Sequence, residues 1–359
     1  MEEFIILIPA LNPPKEILTS YIKDLKDYGF TRILLVDDDS RQGYNEYFQN
    51  LKNEGLDVFR HYKNLGKGRA LKNAFNYILN EYENFTYVIT VDSDGQHKAK
   101  DVYNIASIAK IDSPDIMFLG SRNFNEDNVP FKSSFGNKVT SFLYKVMFFQ
   151  KINDTQTGLR AIPKDFLKDF LDVPGERFEF EINMLINSTK NNKKLIEIPI
   201  QTVYFDNNVE THFNPIVDSF KIYKIMLGTF FKFILASLSF FIVDIGAFTI
   251  LTKVFNDVIV SSSKIIWIST IIARIISGIF NFNINDKLVF SDQAGFKRND
   301  KAIKYFTLWS IQMFMSAFFV DFIIKKVSYN ASFIKLLVDT IIFLVSFNIQ
   351  NKYIFKGEK

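Results

Sequence analysis

A chain of 359 residues that is 48% hydrophobic has room for two domains, each with its own apolar core. The absence of Cys excludes a disulfide framework and thiol chemistry, and 3 His leave no ligand set for zinc. A net charge of +4, not confined to one block, is too mild to call for a nucleic-acid partner.

Composition shifts along the chain. Residues 1–212 read as a soluble α/β domain, 213–230 as an amphipathic linker, and 231–359 as a membrane domain. Residues 4–8 are apolar but short, lack a basic flank and run into Pro9, so they do not read as a secretory signal. The first domain is therefore expected in the cytosol.

Residues 4–8 form the first predicted strand, and Pro9, Ala10, Leu11 and Asn12 the turn after it. Residues 16–28 carry Ile17, Tyr21, Leu25 and Tyr28 at helical spacing. A second strand, 31–36, ends in Asp37, Asp38, Asp39 and Ser40. A third, 56–61, is followed by Asn64, Gly66, Lys67, Gly68 and Arg69, then a helix to about residue 80. Strand four, 85–91, leads into Asp92-Ser93-Asp94-Gly95-Gln96-His97, and strand five, 115–119, into Gly120, Ser121 and Arg122. This alternation predicts a parallel sheet with helices on both faces.

Each polar motif follows a strand, so all would gather on one sheet edge, where open α/β sheets bind ligands. Alone, Asp92 and Asp94 are only an acidic turn. Beside four other strand-end motifs they suit a hard cation that carries substrate phosphates. The glycines of the 64–70 loop allow close backbone approach, and Lys67 and Arg69 offer charge for phosphate. The loop is not a P-loop, and no dinucleotide fingerprint is present.

These motifs, with Asp154-Thr155-Gln156-Thr157-Gly158-Leu159-Arg160, resemble family 2 glycosyltransferases, and among them the polyprenyl-phosphate (dolichol-phosphate mannose synthase-like) group. The resemblance covers about residues 3–206. It implies a GT-A (Rossmann-like, nucleotide-diphospho-sugar transferase) α/β domain and a divalent metal, Mg or Mn. It also implies that Pro9, Ala10, Leu11, Asn12, Asp37, Asp38 and Lys67 hold the nucleotide sugar, with Asp92, Asp94 and Gln96 on metal and diphosphate. Asp39 stands where the family usually has Gly. Ser134 lies in a stretch where relatives often carry Arg, which leaves the acceptor phosphate to Arg122, Lys132 and Ser133, with Lys138 as a substitute.

An anionic phosphate monoester needs cations to place it rather than a strong base. Arg122 and Arg160 are candidates, since a guanidinium forks onto phosphate; the alternative for each is an ion pair. Asp154 reads as catalytic, either orienting Arg160 or acting as base, or else as a helix cap. The acids Glu176, Glu179 and Glu181 read as loop supports, with an acceptor-side function as the alternative. His61 reads as structural, while His97 and His212 read as site-lining.

Two stripes read as interfacial: Phe135, Val139, Phe142, Val146 and Phe149, and then Ile216, Phe220, Tyr223 and Leu227. The alternative is an ordinary amphipathic core helix. Four apolar segments follow, at 231–254, 265–286, 305–324 and 333–350, each near the ~20 residues that span a bilayer. Asp244, Arg274, Asn281, Asn283, Asp321 and Asp339 lie inside them and must face a bundle interior or one another. Residues 239–244 echo 316–321, and 282–290 echo 347–355, so a two-helix hairpin is used twice. Lys and Arg concentrate on the cytosolic side, with Lys325 and Lys326 against the trend. This half resembles the GtrA-like membrane family and is expected to be an all-α four-helix transmembrane domain.

The combined expectation is a multi-pass plasma-membrane protein with a cytosolic, inverting hexosyltransferase domain. It would move a hexose from UDP- or GDP-hexose to a polyprenyl phosphate for cell-envelope glycans, with a homo-oligomer compatible. The alternative is a lipid-linked-sugar flippase whose first domain regulates it.

Overall fold

A computed structural model of the chain describes residues 1–112, 115–124, 131–201, 217–256, 262–290, 297–324, 326 and 331–355. They divide into two compact units, Met1–Tyr223 and Lys224–Lys359.

The first unit is built on a seven-stranded sheet. Its strands are β1 (Phe4–Ala10), β2 (Ile33–Asp37), β3 (Asp57–Arg60), β4 (Tyr87–Thr90), β5 (Ile116–Arg122), β6 (Arg160–Pro163) and β7 (Lys194–Ile200), in the order β3-β2-β1-β4-β6-β5-β7. The continuous apolar runs of β1, β2 and β4 are buried on both faces, as parallel strands between helices require. One face packs on α1 (Lys15–Asp27), α2 (Asn45–Asn53) and α4 (Ala99–Ile111), with Phe4, Ile6 and Ile8 at the centre. The alternate residues Ile5 and Leu7 point to the other face. There α3 (Lys67–Glu81) packs on β1 and is backed by α6 (Lys164–Leu171) and α7 (Glu179–Lys190).

The expected all-parallel sheet is corrected at β6, which runs antiparallel between β4 and β5. The 153–159 loop reaches the carboxyl end of β4, so the strand that follows can only descend the opposite way. Thr90 therefore pairs with Arg160 and Tyr87 with Pro163.

Helix α5 (Phe131–Phe148) buries Asn137, Thr140, Tyr144 and Met147, and the Tyr144 hydroxyl donates to the Leu185 carbonyl of α7 at 2.9 Å. Its apolar stripe faces outward. Phe135 is 59% exposed, Phe142 64% and the adjoining Phe149 63%, which removes the core-helix reading of that stripe.

The second predicted interfacial helix is not a separate element. The described residues from Val217 onward form one 40-residue helix, α8 (Val217–Asn256). No proline breaks it, and Gly228 and Gly246 each cost only about 1 kcal/mol. Ile216 lies outside the described residues. Within α8, Met226–Asn256 is long and apolar enough to cross a bilayer, and only 6% of its most apolar window is buried, so it is not a core helix. The remaining helices are α9 (Ser262–Ile284), α10 (Arg298–Ile324) and α11 (Ala331–Ile349).

The sequence echo is a structural one. Helices α9 and α11 each end in a wide π turn, Asn285–Val289 and Gln350–Ile354. Asn285 and Gln350, equivalent in the repeat, are buried and hydrogen-bonded at 3.2 Å. Phe290 and Phe355, also equivalent, stack at 4.8 Å and 12°. Asp244 on α8 accepts from Ser277 at 2.9 Å and sits 3.6 Å from Arg274, both on α9.

Gly68 tests the packing of α3. Glycine inside a helix is usually improved by alanine. Here an added Cβ would lie 2.5 Å from Phe180 Cβ and 2.8 Å from the Arg177 carbonyl. Gly68→Ala should therefore destabilise the first unit by about 1–3 kcal/mol in chemical denaturation, whereas a gain would mean that α3 and the segment before α7 are not locked together.

Candidate active site

The carboxyl ends of β1, β2, β3 and β4 lie on one edge because these strands are parallel and adjacent. The start of β6 joins them there.

At the end of β4, Asp92 is held from two sides. Lys67 Nζ donates to its Oδ1 at 2.7 Å, and His97 Nε2 lies 3.3 Å from Oδ2. Lys67 also bridges to Glu181 Oε1 at 3.0 Å. Burial opposes the Asp92 charge, but Lys67 and then His97 hold its pKa well below the carboxylate range. Burial likewise opposes the Lys67 charge, and the two carboxylates outweigh it and raise its pKa. The Gly158 backbone packs directly against the Asp92 carboxylate, so any Cβ at 158 would collide with it. The Thr90 hydroxyl fixes that approach by donating to the Gly158 carbonyl at 2.7 Å.

Asp94 lies two residues on and, across the left-handed Gly95, accepts from the Gln96 amide at 3.0 Å. Burial and the neighbouring Asp92 charge push its pKa up. It is the carboxylate of the pair still short of positive charge. No three His, Cys, Asp or Glu converge into a protein-only cage among the described residues. A hard oxygen donor beside a second carboxylate nevertheless fits a Mg²⁺- or Mn²⁺-type ion whose shell is completed by substrate phosphates and water.

Two expected roles change. Asp154, fully buried, orients Arg122 rather than Arg160: its oxygens accept from Arg122 Nε at 2.6 Å and Nη2 at 3.0 Å. Glu197 of β7 holds this turn by accepting from the amides of Asn153 at 2.8 Å and Asp154 at 2.9 Å. Arg160 is entirely buried and donates to the carbonyls of Thr157 at 2.9 Å and Glu181 at 2.6 Å. Its pairing between β4 and β5 makes it an internal brace, away from any exposed phosphate.

On the other side, Asp37 is buried, accepts from the Ser40 amide at 2.8 Å and lies 3.0 Å from Arg60 Nε. Asp38 is equally occupied, accepting from the amides of Leu65 at 2.9 Å and Gly66 at 2.7 Å and pairing with His61 Nδ1 at 2.7 Å. Asn12, at φ +48, receives the Arg41 amide on Oδ1 at 2.8 Å and gives its own amide to Ser40 Oγ at 2.8 Å. Pro9 and Ala10 close β1 against Val36 and Asp37, and Leu11 continues the turn. Arg69, expected to serve phosphate, forks onto Glu176, which Lys72 also contacts at 2.9 Å. The side chains of Lys132 and Ser133, and all of His212, lie outside the described residues.

Sequence reasoning missed the Lys67–Glu181 bridge and the brace role of Arg160. The only signal for either was the coincidence of a loop lysine and a helix-start acid, which spacing does not connect.

A sheet of this order, with an acidic loop after β4 and an antiparallel strand beside it, defines a GT-A-type transferase domain. Residues 5–171 match the family model for glycosyl transferase family 2, and residues 232–355 that for the GtrA/DPMS transmembrane domain. The chain belongs to glycosyl transferase family 2, with a GtrA/DPMS membrane domain as its second half. It is 31% identical over 235 residues to an uncharacterised protein of Methanocaldococcus jannaschii, covering 64% of this chain and 93% of that one. It is 27% identical over 244 residues to the UDP-N-acetylglucosamine–dolichyl-phosphate N-acetylglucosaminyltransferase of Methanococcus voltae, covering 62% and 94%. Among solved structures, it is similar to glucosyl-3-phosphoglycerate synthase from Mycobacterium tuberculosis in complex with Mn²⁺, UDP and phosphoglyceric acid. That likeness has a TM-score of 0.49 and 12% identity, and covers 63% of this chain and 78% of that one.

Asp94 gives a signed prediction. Its raised folded pKa means that folding favours the protonated acid. The associated stability is present below the unfolded value, about pH 3.9, and is lost as pH rises through the folded value. Asp94→Asn removes the charge, so metal-free Asp94→Asn protein should gain stability over wild type as pH rises from about 4 toward 7. Equal melting curves across that window would show that the Asp94 charge is not strained.

Proposed function

We propose that this protein is a membrane-anchored, inverting glycosyltransferase that moves a hexose from a nucleotide diphosphate sugar, of the UDP or GDP type, to a polyprenyl phosphate at the cytosolic leaflet. The observation that carries the reading is Asp94, a carboxylate beside the Lys67-paired Asp92 on an edge shared with the β1 and β2 loops. The 1–212 and 231–359 division, with four passes of the second part, belongs to the same proposal.

In this reading Pro9, Ala10, Leu11 and Asn12 form the floor under the nucleoside, and Asp37 and Asp38 shape the walls through the loops they hold. Asp94, with Asp92 and Gln96 beside it, holds the divalent ion. When bound, the ion supplies Lewis-acid neutralisation of the leaving diphosphate. Lys67 holds Asp92 at a fixed place and adds positive charge near the diphosphate. Arg122, held by Asp154, places the acceptor phosphate, whose oxygen attacks the anomeric carbon as the bond to the diphosphate breaks. Arg160 and Gly158 act through the positions of Glu181 and Asp92.

The outward stripe of α5 supports an interfacial placement. Phe142 and Phe149 expose rings that water penalises and a headgroup region accepts. The Asp244–Ser277–Arg274 cluster supports a fastened bundle, which favours an anchor over a flippase whose first domain only regulates it.

Purified full-length protein with a nucleotide-sugar panel, polyprenyl phosphate and Mg²⁺ or Mn²⁺ should yield a lipid-linked sugar. Excess chelator or Asp94→Ala should lower turnover by at least about a hundredfold. Product formation that survives both treatments, or none with any donor, would sink this reading.

Arg122→Lys loses the planar fork and should raise KM for the lipid or lower kcat while nucleotide affinity holds. The reverse pattern would move Arg122 to the donor side. Replacing both Phe142 and Phe149 by Ser should raise KM for long-chain acceptor about tenfold or more, given roughly 1.5–3 kcal/mol for each aromatic ring removed from water. Unchanged lipid kinetics would mean that α5 does not touch the membrane.

A further inference from the structure

A groove of about 730 Å³ opens on the first unit between α1 and the residues that lead from the acidic loop into α4. One wall is a face of α1. Glu16, Ser20, Asp24 and Asp27 follow one another at helical spacing, so they lie in one row. The three acids are exposed, and the rise of an α-helix spreads them over about 16 Å. The opposite wall offers Lys98 and Lys100. The Lys98 ammonium is already committed to Gln201 Oε1 at 2.7 Å, so acidic charge prevails.

Two buried polar side chains line the same groove. Tyr21 is 5% exposed and His97 3%, yet the Tyr21 hydroxyl and His97 Nδ1 have no hydrogen-bond partner among the described residues. The other ring nitrogen of His97, Nε2, lies 3.3 Å from the Asp92 carboxylate, which can only accept. In the neutral ring the proton therefore sits on Nε2, and Nδ1 is left as an acceptor. The Tyr21 oxygen is a second acceptor. Burial, then the charges of Asp92, Asp94, Asp101 and Asp24, push the Tyr21 pKa up, so the potential at this hydroxyl is negative. Ile17 and the half-exposed Tyr28 add apolar surface to the groove.

Such a field turns away anions. A compact metal ion does not suit it either, since no three His, Cys, Asp or Glu converge among the described residues. The match is a long cation with separated charges, N–H donors and an apolar chain between them.

We infer that the groove binds a linear aliphatic polyamine: one terminal ammonium donates to the Tyr21 oxygen and His97 Nδ1, the methylene chain lies on Ile17 and Tyr28, and the other ammonium groups pair with the acids of α1. His97 also contacts Asp92, which places the occupant directly behind the acidic loop. The inference is independent of the donor and acceptor proposed above.

The test is calorimetric titration of full-length protein with spermidine, in buffer free of metal and nucleotide. Wild type should bind it saturably, one molecule per chain, and should not bind butanediol, which carries hydroxyls in place of ammonium groups. Tyr21→Phe keeps the ring and should lower affinity roughly ten- to a hundredfold, the range for a hydrogen bond to a charged group. Asp24→Asn combined with Asp27→Asn alters only exposed side chains of α1 and should lower it roughly three- to tenfold. Asp165→Asn, an equally exposed acid on α6 across the sheet, should bind as wild type does. Wild type that does not bind spermidine, or binding unchanged in both the Tyr21 and the double Asn variants, overturns the inference. So does an equal loss in Asp165→Asn, or equal binding of butanediol.

Discussion

One ammonium group organises the catalytic edge. Lys67 stands between Asp92 after β4 and Glu181 on α7, and so joins the first turn of α3 to both. The set is only partly buried, so removing one member leaves a charge without compensation at less than the full cost of a buried pair. The consequence is electrostatic as well as mechanical. Lys67 neutralises Asp92, which leaves Asp94 as the group that calls for an added cation. Arg69 and Lys72 gather on Glu176, and Gly66 and Gly68 let that segment approach the backbone. The glycine-rich loop is thus keyed into the segment before α7 rather than standing open as a phosphate cradle.

The antiparallel β6 is the second organising feature. By starting where β4 ends, it delivers Gly158 to Asp92 and Asp154 to Arg122. The same segment buries Arg160, whose Nε and Nη1 donate to the carbonyls of Thr157 and Glu181. Two arginines that look alike along the chain therefore end in different environments, one at the edge and one in the core.

In the second unit the repeat explains the polar residues in apolar surroundings. Asn285 donates to Gln350, which donates in turn to Ser346, and Asp244 takes Ser277 and Arg274. Within lipid such groups must find protein partners, and for Asn285 and Gln350 the duplicated hairpin supplies them at equivalent positions.

Much of this was legible in the sequence, since local rules carried it. The runs 4–8, 31–36 and 85–91 announced buried strands, and the motifs after them fell on one edge because parallel strands share a polarity. The two apolar echoes announced a repeated hairpin. The family resemblance rested on short contiguous motifs, and the matched family models bear it out. What the sequence could not decide was which side chain meets which across long separations. Lys67 and Glu181 are 114 positions apart, and Asp154 lies closer in sequence to Arg160 than to Arg122. The resemblance gave Asp37 and Asp38 to the nucleotide and set Asp39 apart as a departure, and only the fold showed the first two as buried loop anchors and the third as exposed. Strand direction was undecided for the same reason: the four residues of β6 read alike either way, and only the strands on each side fixed their sense.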